Sequence, residues 1–431
     1  MAKADPLAEH NASIRNSLND YLILPPRNTT DIRPWEFHIG RVADQLSLPT
    51  LVLSDLSANY EALLSALLLR GVVEYSPSGI TPTEVGLSTH VVINGDLNDR
   101  GGDLIPCMWL ISHLRERGVK VSTVLGNHEA VLLSFLVYDP IKELDIRDLE
   151  LTKFGNRERI DTWHLSPTAW ADSFLFWYLR NKGRTTLHTL AKFNDYLPNK
   201  RELSPLPEEY YAALRDFQFD VGVFEGARSA LRNSPVCRGF IQGLQGCIVD
   251  NGVVFAHAAL PIIDHHSGRY LKDLPWHISQ KLKDPESCWR IGIGFHYSGQ
   301  EYHSPKYPYA HALGSGRLQS DYSSLGGLIW DRLPAEIEDR LCSVPDKDLP
   351  RAFRSEWLAH LRSEGVQAVV RGHDSIDRLG HTQQVILERE GVRFLNVDVD
   401  LAKPGALGYS YITQSGEVYA FRQKSPHSDE E

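Results

Sequence analysis

Three short apolar runs constrain this chain more than any other feature in it. Each ends near an acidic or amide side chain, and each is followed by a stretch of helix length. Leu51, Val52 and Leu53 lead to Ser54 and Asp55, and Tyr60 to Leu69 follows, rich in Leu and Ala. Val91 to Asn94 leads to Gly95 and Asp96, and Ile105 to Arg117 follows, closed by Gly118. Val119 to Leu125 leads to Gly126 and Asn127, and His128 to Val137 follows. Short apolar runs bounded by turn residues suit buried strands, and a glycine after a periodic stretch is a helix stop. Strands that alternate with helices predict an α/β core. The polar residues fall just beyond the C-terminal ends of the strands, where open α/β sheets place their ligands. Strand texture returns at Gly252 to Ala256, at Gln367 to Val370 and, with glycine turns, over Phe394 to Phe421.

The rest of the chain divides around this core. Residues 1–45 mix charge, Pro25, Pro26 and Pro34 with short apolar pieces and read as an N-terminal extension. The main domain then spans 46–421, with a helical insertion at about 139–235 and a loop-rich insertion at about 262–325. The first insertion carries Trp163, Trp170 and Trp177, and the second is rich in Gly, Tyr, His and Ser. Residues 422–431 are polar and read as a disordered tail. A chain of 431 residues, 42% hydrophobic and 23% charged, buries a core of useful size. The net charge of -10 argues against a general nucleic-acid surface. The longest apolar candidate, Ala62 to Val73, is short for a bilayer and contains Arg70, so no membrane partner is expected. Met1 to Arg15 carries charges where a signal peptide needs an apolar segment. The five cysteines are scattered without a C-x-x-C pair, as reduced thiols are. Together these features predict a cytoplasmic protein.

Hydrolysis of a phosphate ester with two metals needs a carboxylate that bridges the ions, with oxygens and imidazoles in the other positions. A water shared by the ions is then a nucleophile near neutral pH. Cationic groups must hold the phosphate oxygens, and a proton donor must serve the leaving group. The chain offers these parts in order. They are Ser54-Asp55-Leu56-Ser57, Gly95-Asp96-Leu97-Asn98-Asp99-Arg100-Gly101, Gly126-Asn127-His128-Glu129, His257 after Val253 to Ala256, and Arg371-Gly372-His373. Taken singly, each has an ordinary structural reading as a helix cap, a core histidine or a tight turn. Taken together, each after a strand, they form a ligand set.

The order G-D-x-x-D-R-G, then G-N-H-E, then a strand ending in His, then R-G-H resembles the phosphoprotein phosphatase signature of the calcineurin-like metallophosphoesterase superfamily. Gly327-Leu328-Ile329-Trp330-Asp331-Arg332 resembles that family's Trp-containing segment, in the W-x-R form of the bacterial-type, Shewanella-like branch. Asn396-Val397-Asp398 resembles the entry to its closing strands, and the resemblance covers roughly 48–138, 236–262 and 325–421. It implies a sandwich of two mixed β-sheets flanked by helices, with metals at the strand ends and insertions at the rim. It implies Asp55 as a ligand of the first metal, Asp96 as the bridging carboxylate, and Asn127, His257 and His373 as ligands of the second. His128 resembles the proton donor and Asp99 its orienting partner. Arg100 and Arg332 resemble the two phosphate clamps. The implied cofactors are two divalent ions, with Mn, Fe and Zn all suited to such ligands. The implied activity is hydrolysis of phosphate monoesters, on a phosphorylated protein or a small phosphate ester, by attack of a metal-bound hydroxide.

Two departures stand out. Where the family has D-x-H-G, this chain has Asp55-Leu56-Ser57-Ala58, and where it has H-G-G, this chain has His257-Ala258-Ala259. A serine hydroxyl is a poor neutral ligand beside an imidazole. A water completes the first site, or one of His265, His266, His296, His303 and His311 does, or that site stays empty. Two alternative functions follow: a nucleotide or dinucleoside polyphosphate hydrolase with the same site, and a degenerate phosphate-binding protein without turnover.

Overall fold

The computed structural model describes residues 36–76, 79–137, 167–180, 182–198, 200–258, 345, 354–373, 386–399, 401 and 406–423. Period-two alternation along the strands dictates the layering. In β2 (Thr50–Leu53) and β5 (His90–Asn94), Val52 and Val92 face one way, and Leu51, Leu53, Val91 and Ile93 the other. In β9 (Val253–Phe255) and β10 (Ala368–Arg371), Val253, Phe255, Ala368 and Val370 join Val52 and Val92 in one core, while Val254 and Val369 join the helices. Two sheets therefore pack face to face, with helices on their outer faces.

The larger sheet has seven strands, in the order β1-β14-β13-β2-β5-β6-β7. Its parallel half is β2, β5, β6 (Lys120–Val124) and β7 (Leu244–Gln245). Its antiparallel half is β1 (Phe37–Arg41), β13 (Leu407–Ile412) and β14 (Glu417–Gln423). The smaller sheet has five strands, in the order β11-β12-β10-β9-β8, with β9, β10 and β12 (Val392–Asn396) parallel. β8 (Ile248–Asp250) and β11 (Ile386–Arg389) are its antiparallel edges. A separate hairpin joins β3 (Val73–Ser76) to β4 (Gly79–Pro82), ahead of the short helix α2 (Glu84–Leu87).

Helix α1 (Tyr60–Leu69) starts at Asn59, whose side chain accepts the Ala62 N–H. α3 (Leu104–Glu116) runs between β5 and β6, and α4 (Asn127–Leu132) follows β6 and passes into a π-turn at Leu133–Val137. Helices α5 (Pro167–Arg180), α6 (Gly183–Asp195), α7 (Glu208–Asp216) and α8 (Val221–Asn233) form a bundle within the stretch expected as a helical insertion. α9 (Pro235–Gln242) starts at Ser234, with Pro235 preset for the first turn, and returns the chain to β7. α10 (Ser355–Ser363) leads into β10.

Three particulars differ from what the pattern suggests. Phe37–Arg41, inside the 1–45 extension, pairs with β14 as an edge strand of the larger sheet. The Phe394–Phe421 stretch divides between the sheets, because β13 and β14 leave β12 and pair beside β2. β14 also continues through Gln423, past the expected start of the tail. Residues 1–35, the 262–325 insertion and 424–431 lie outside the described residues. Among the described residues, no helix is long and apolar enough to cross a membrane. Cys107, Cys237 and Cys247 are buried free thiols, and burial pushes the last two up to about 12.

Candidate active site

The site is built from the loops that leave the ends of β2, β5, β6, β9 and β10. Side chains crowd there because the backbone turns sharply. Asp55, Asp96, Asp99, Arg100 and His373 all take positive φ, between 52° and 70°. Such conformations cost non-glycine residues free energy and persist where the surroundings over-determine them. Glu129 supplies much of that determination. Its carboxylate accepts the N–H groups of Asp96 (2.8 Å), Leu97 (2.7 Å), Asn98 (3.2 Å) and Gly126 (2.9 Å). The β5 and β6 loops are thus tied to one buried carboxyl group, which burial and the Asp96 charge push up to about 7. Gly95 and Gly126 let the loops close in, since a Cβ at the first would strike the His257 ring and one at the second Asp96 Oδ1.

Four donors converge. His257 Nε2 lies 3.2 Å from Asp96 Oδ1, 3.1 Å from Asn127 Oδ1 and 3.2 Å from His373 Nδ1. Atoms that ligate one ion at about 2.0–2.2 Å sit about 3.0–3.5 Å apart, so these edges match a shared cation. His257 Nδ1 lies 3.0 Å from the Asn94 carbonyl, a bond that aims Nε2 at the focus. Asp96, His257 and His373 are all buried. Two imidazoles, a carboxylate and an amide oxygen in a dry setting suit a divalent transition metal. The residues present fit such an ion.

Asp55 stands beside this focus. Its Oδ2 accepts the Ser54 hydroxyl at 2.5 Å and the His373 N–H at 3.1 Å. Ser57 occupies the position where the resemblance expects histidine; it is buried, with φ of 51°. Its N–H donates to the Asp96 carbonyl at 2.9 Å, so the turn keeps its place although the imidazole is gone.

His128 sits between two carboxylates. Its Nδ1 is 2.6 Å from Asp99 Oδ2 and its Nε2 is 3.6 Å from Asp96 Oδ2. Its own N–H donates to Asp96 Oδ1 at 3.1 Å. Burial works against protonation of His128, but the Asp96 charge and the bond to Asp99 outweigh it and push the imidazole up to about 9. The Arg100 charge opposes that rise. Burial likewise opposes ionisation of Asp96, and the facing His257 and His128 outweigh it, holding the carboxyl well below the usual range.

The expected site residues Asp55, Asp96, Asp99, Asn127, His128, His257 and His373 therefore meet, while Arg100, next to Asp99, is exposed. Arg332 and the five candidate insertion histidines lie outside the described residues. Sequence reasoning gave no role to Glu129, Trp177 or Thr186. Glu129 was within reach of it, because its spacing from Gly126 is that of a capping box. Trp177 and Thr186 both donate to Asp99 from the insertion, and nothing local marks them.

Several solved structures are similar to this chain over most of its length. A cold-active protein-tyrosine phosphatase of a psychrophilic Shewanella species shares 14% identity, with 87% of this chain and 80% of that chain covered and a TM-score of 0.42. A protein serine/threonine phosphatase from Saccharomyces cerevisiae shares 11%, with 99% and 93% covered and a TM-score of 0.34. A metallophosphoesterase from Sphaerobacter thermophilus shares 12%, with 89% and 90% covered and a TM-score of 0.33. No curated protein matches the chain in sequence. Residues 48–221, which run from β2 through the first three ligand loops to the start of α8, match the calcineurin-like phosphoesterase family model. That stretch therefore carries a calcineurin-like phosphoesterase domain match, and the two mixed sheets with flanking helices are consistent with that fold.

Proposed function

We propose that this chain hydrolyses phosphate monoesters carried on phosphorylated proteins, at the site around Asp96. The observation that carries the reading is the position of His128, backed by Asp99 at 2.6 Å and set against a four-donor cation focus. A proton donor is useful there only if a leaving group departs beside the cation. Asp96, Asn127, His257 and His373 would hold one divalent ion, and Asp55 with Asp96 would offer carboxylates to a second. Such ions supply Lewis acidity and lower the pKa of water.

The chain's own residues do the rest. Arg100, the exposed neighbour of Asp99, would take phosphate oxygens. Asp99 accepts the Nδ1–H of His128, and with Asp96 it favours the imidazolium, whose second proton sits on Nε2. As water attacks phosphorus and the P–O bond to the alcohol breaks, that proton passes to the departing oxygen. Protein substrates are favoured by the G-D-x-x-D-R-G and G-N-H-E pair, which resembles the phosphoprotein phosphatases. Ser57 favours a second reading, in which one complete ligand set binds phosphate without turnover.

Turnover of an aryl phosphate and a phosphopeptide, with Mn²⁺ added and metal content measured, separates the two. The hydrolytic reading expects turnover that needs the ion, with Asp96→Asn lowering it by at least about 100-fold. A fully loaded protein that turns over neither substrate moves the binding reading ahead. Unchanged turnover in Asp96→Asn sinks the site assignment.

A further inference from the structure

The helical insertion reaches into the catalytic pair. Asp99 is wholly buried, and both its carboxylate oxygens are engaged. Oδ2 takes His128 Nδ1–H and, at 2.8 Å, the indole N–H of Trp177 from α5. Oδ1 takes the hydroxyl of Thr186 from α6 at 2.8 Å. The Thr186 oxygen also accepts the Asp99 backbone N–H at 2.9 Å. One hydroxyl thus grips both the side chain and the main chain of a residue held at φ 67°. Trp177 and Thr186 are themselves buried, so neither bond is shared with bulk water. The insertion is shaped for this contact: a Cβ at Gly183, the first residue of α6, would strike the Trp177 indole.

We propose that Trp177 and Thr186 are positioning residues that fix the plane of the Asp99 carboxylate and, through it, the direction of His128 Nε2. The inference rests on the hydrolytic reading above and deepens it. A carboxylate bonded only to His128 is free to rotate about its Cβ–Cγ bond, and the imidazole would follow. Two fixed donors remove that freedom, so the Nε2 proton points where the leaving oxygen departs. The need for this grows with the basicity of the leaving group. A nitrophenolate departs without help, whereas an alkoxide such as that of a serine side chain must be protonated as the P–O bond breaks.

Thr186→Val removes the hydroxyl at constant shape, and Trp177→Phe removes the indole N–H. In the Mn²⁺-loaded full chain, kcat is measured on nitrophenyl phosphate, phenyl phosphate and an alkyl phosphate. The expected result is a fall of about 10–100-fold on the alkyl ester, with KM and metal content unchanged. On the nitrophenyl ester the change stays below about threefold. An equal fall on every ester, or no fall on any, overturns the inference. A second readout needs no turnover. The downfield Nδ1 proton of His128, seen by NMR in histidine-labelled protein, should exchange at least about tenfold faster in both variants. Unchanged exchange overturns the positioning role whether or not the enzyme is active. A wild-type protein that hydrolyses none of these esters counts against the proposed function alone.

Discussion

The loops around Asp96 hold their shape with hydrogen bonds, whereas the helices of the insertion hold theirs with aromatic rings. In the loops, strained backbone is pinned by side chains, above all by the four N–H groups on Glu129. In the insertion, Trp170 packs against Phe135 at 5.8 Å, Tyr210 at 5.3 Å and Phe224 at 5.6 Å between ring centroids, each edge to face. Phe174 meets Phe135, Phe219 and Phe224 in the same way. Polar pinning fixes atoms one at a time and fails locally. Ring packing fixes volume and fails as a unit. The two meet at Trp177, whose ring lies 5.7 Å from Phe135 while its N–H serves Asp99.

The sharpest way to break this contrast is Trp170→Ala. The ring is fully buried, and its loss should cost about 3–5 kcal/mol in denaturant unfolding, while metal content at saturation stays the same. A loss of metal in a still-folded variant would mean that the two regions are not separately built.

The sheet beneath the loops offers the next test. Burial, aided by the Lys120 charge, holds His90 down to about 4 from its ordinary 6.5. The unfolded chain therefore takes up this proton first. The stability that neutral His90 contributes is present above pH 6.5 and is lost as pH falls toward 4, roughly 3 kcal/mol in all. His90→Gln should flatten unfolding free energy against pH across that window. An unaltered slope would assign the acid sensitivity elsewhere.

Gly126→Ala probes the loops alone and is the smallest of the three effects. A Cβ there meets Asp96 Oδ1 and the Asp96 backbone nitrogen, so the carboxylate must shift. Mn²⁺ affinity by titration calorimetry should fall about 10–100-fold, with the insertion's near-ultraviolet dichroism unchanged. Unchanged affinity would show that the loops yield more easily than their bonding suggests.

The same contrast explains how much could be read in advance. The ligand loops were legible because each is a short motif directly after an apolar run, and β2, β5, β6, β9 and β10 fall at the expected places. β1 was not, because its residues are exposed or half-buried and show no alternation. β7 is two residues long and gives no periodic signal. The hold on Asp99 was beyond local reading for a different reason. Trp177 and Thr186 lie 78 and 87 residues along the chain from it, and a buried Trp or Thr in a helix reads first as packing. Ser57 was visible at once as a departure, and the structure adds that the turn retains its backbone bond to Asp96.

The His373 N–H reaches back to Asp55 across 318 residues of chain. Contacts of such span close late, because a long loop must be drawn shut before any pairing rewards it. During synthesis from the N-terminus, Asp96 and Asn127 emerge long before His257, and His257 long before His373. A nascent chain can therefore present carboxylate and amide, but not the full imidazole pair, until β10 and His373 after it have emerged. The full donor set at this focus therefore exists only once the loop beyond β10 has joined those beyond β5, β6 and β9.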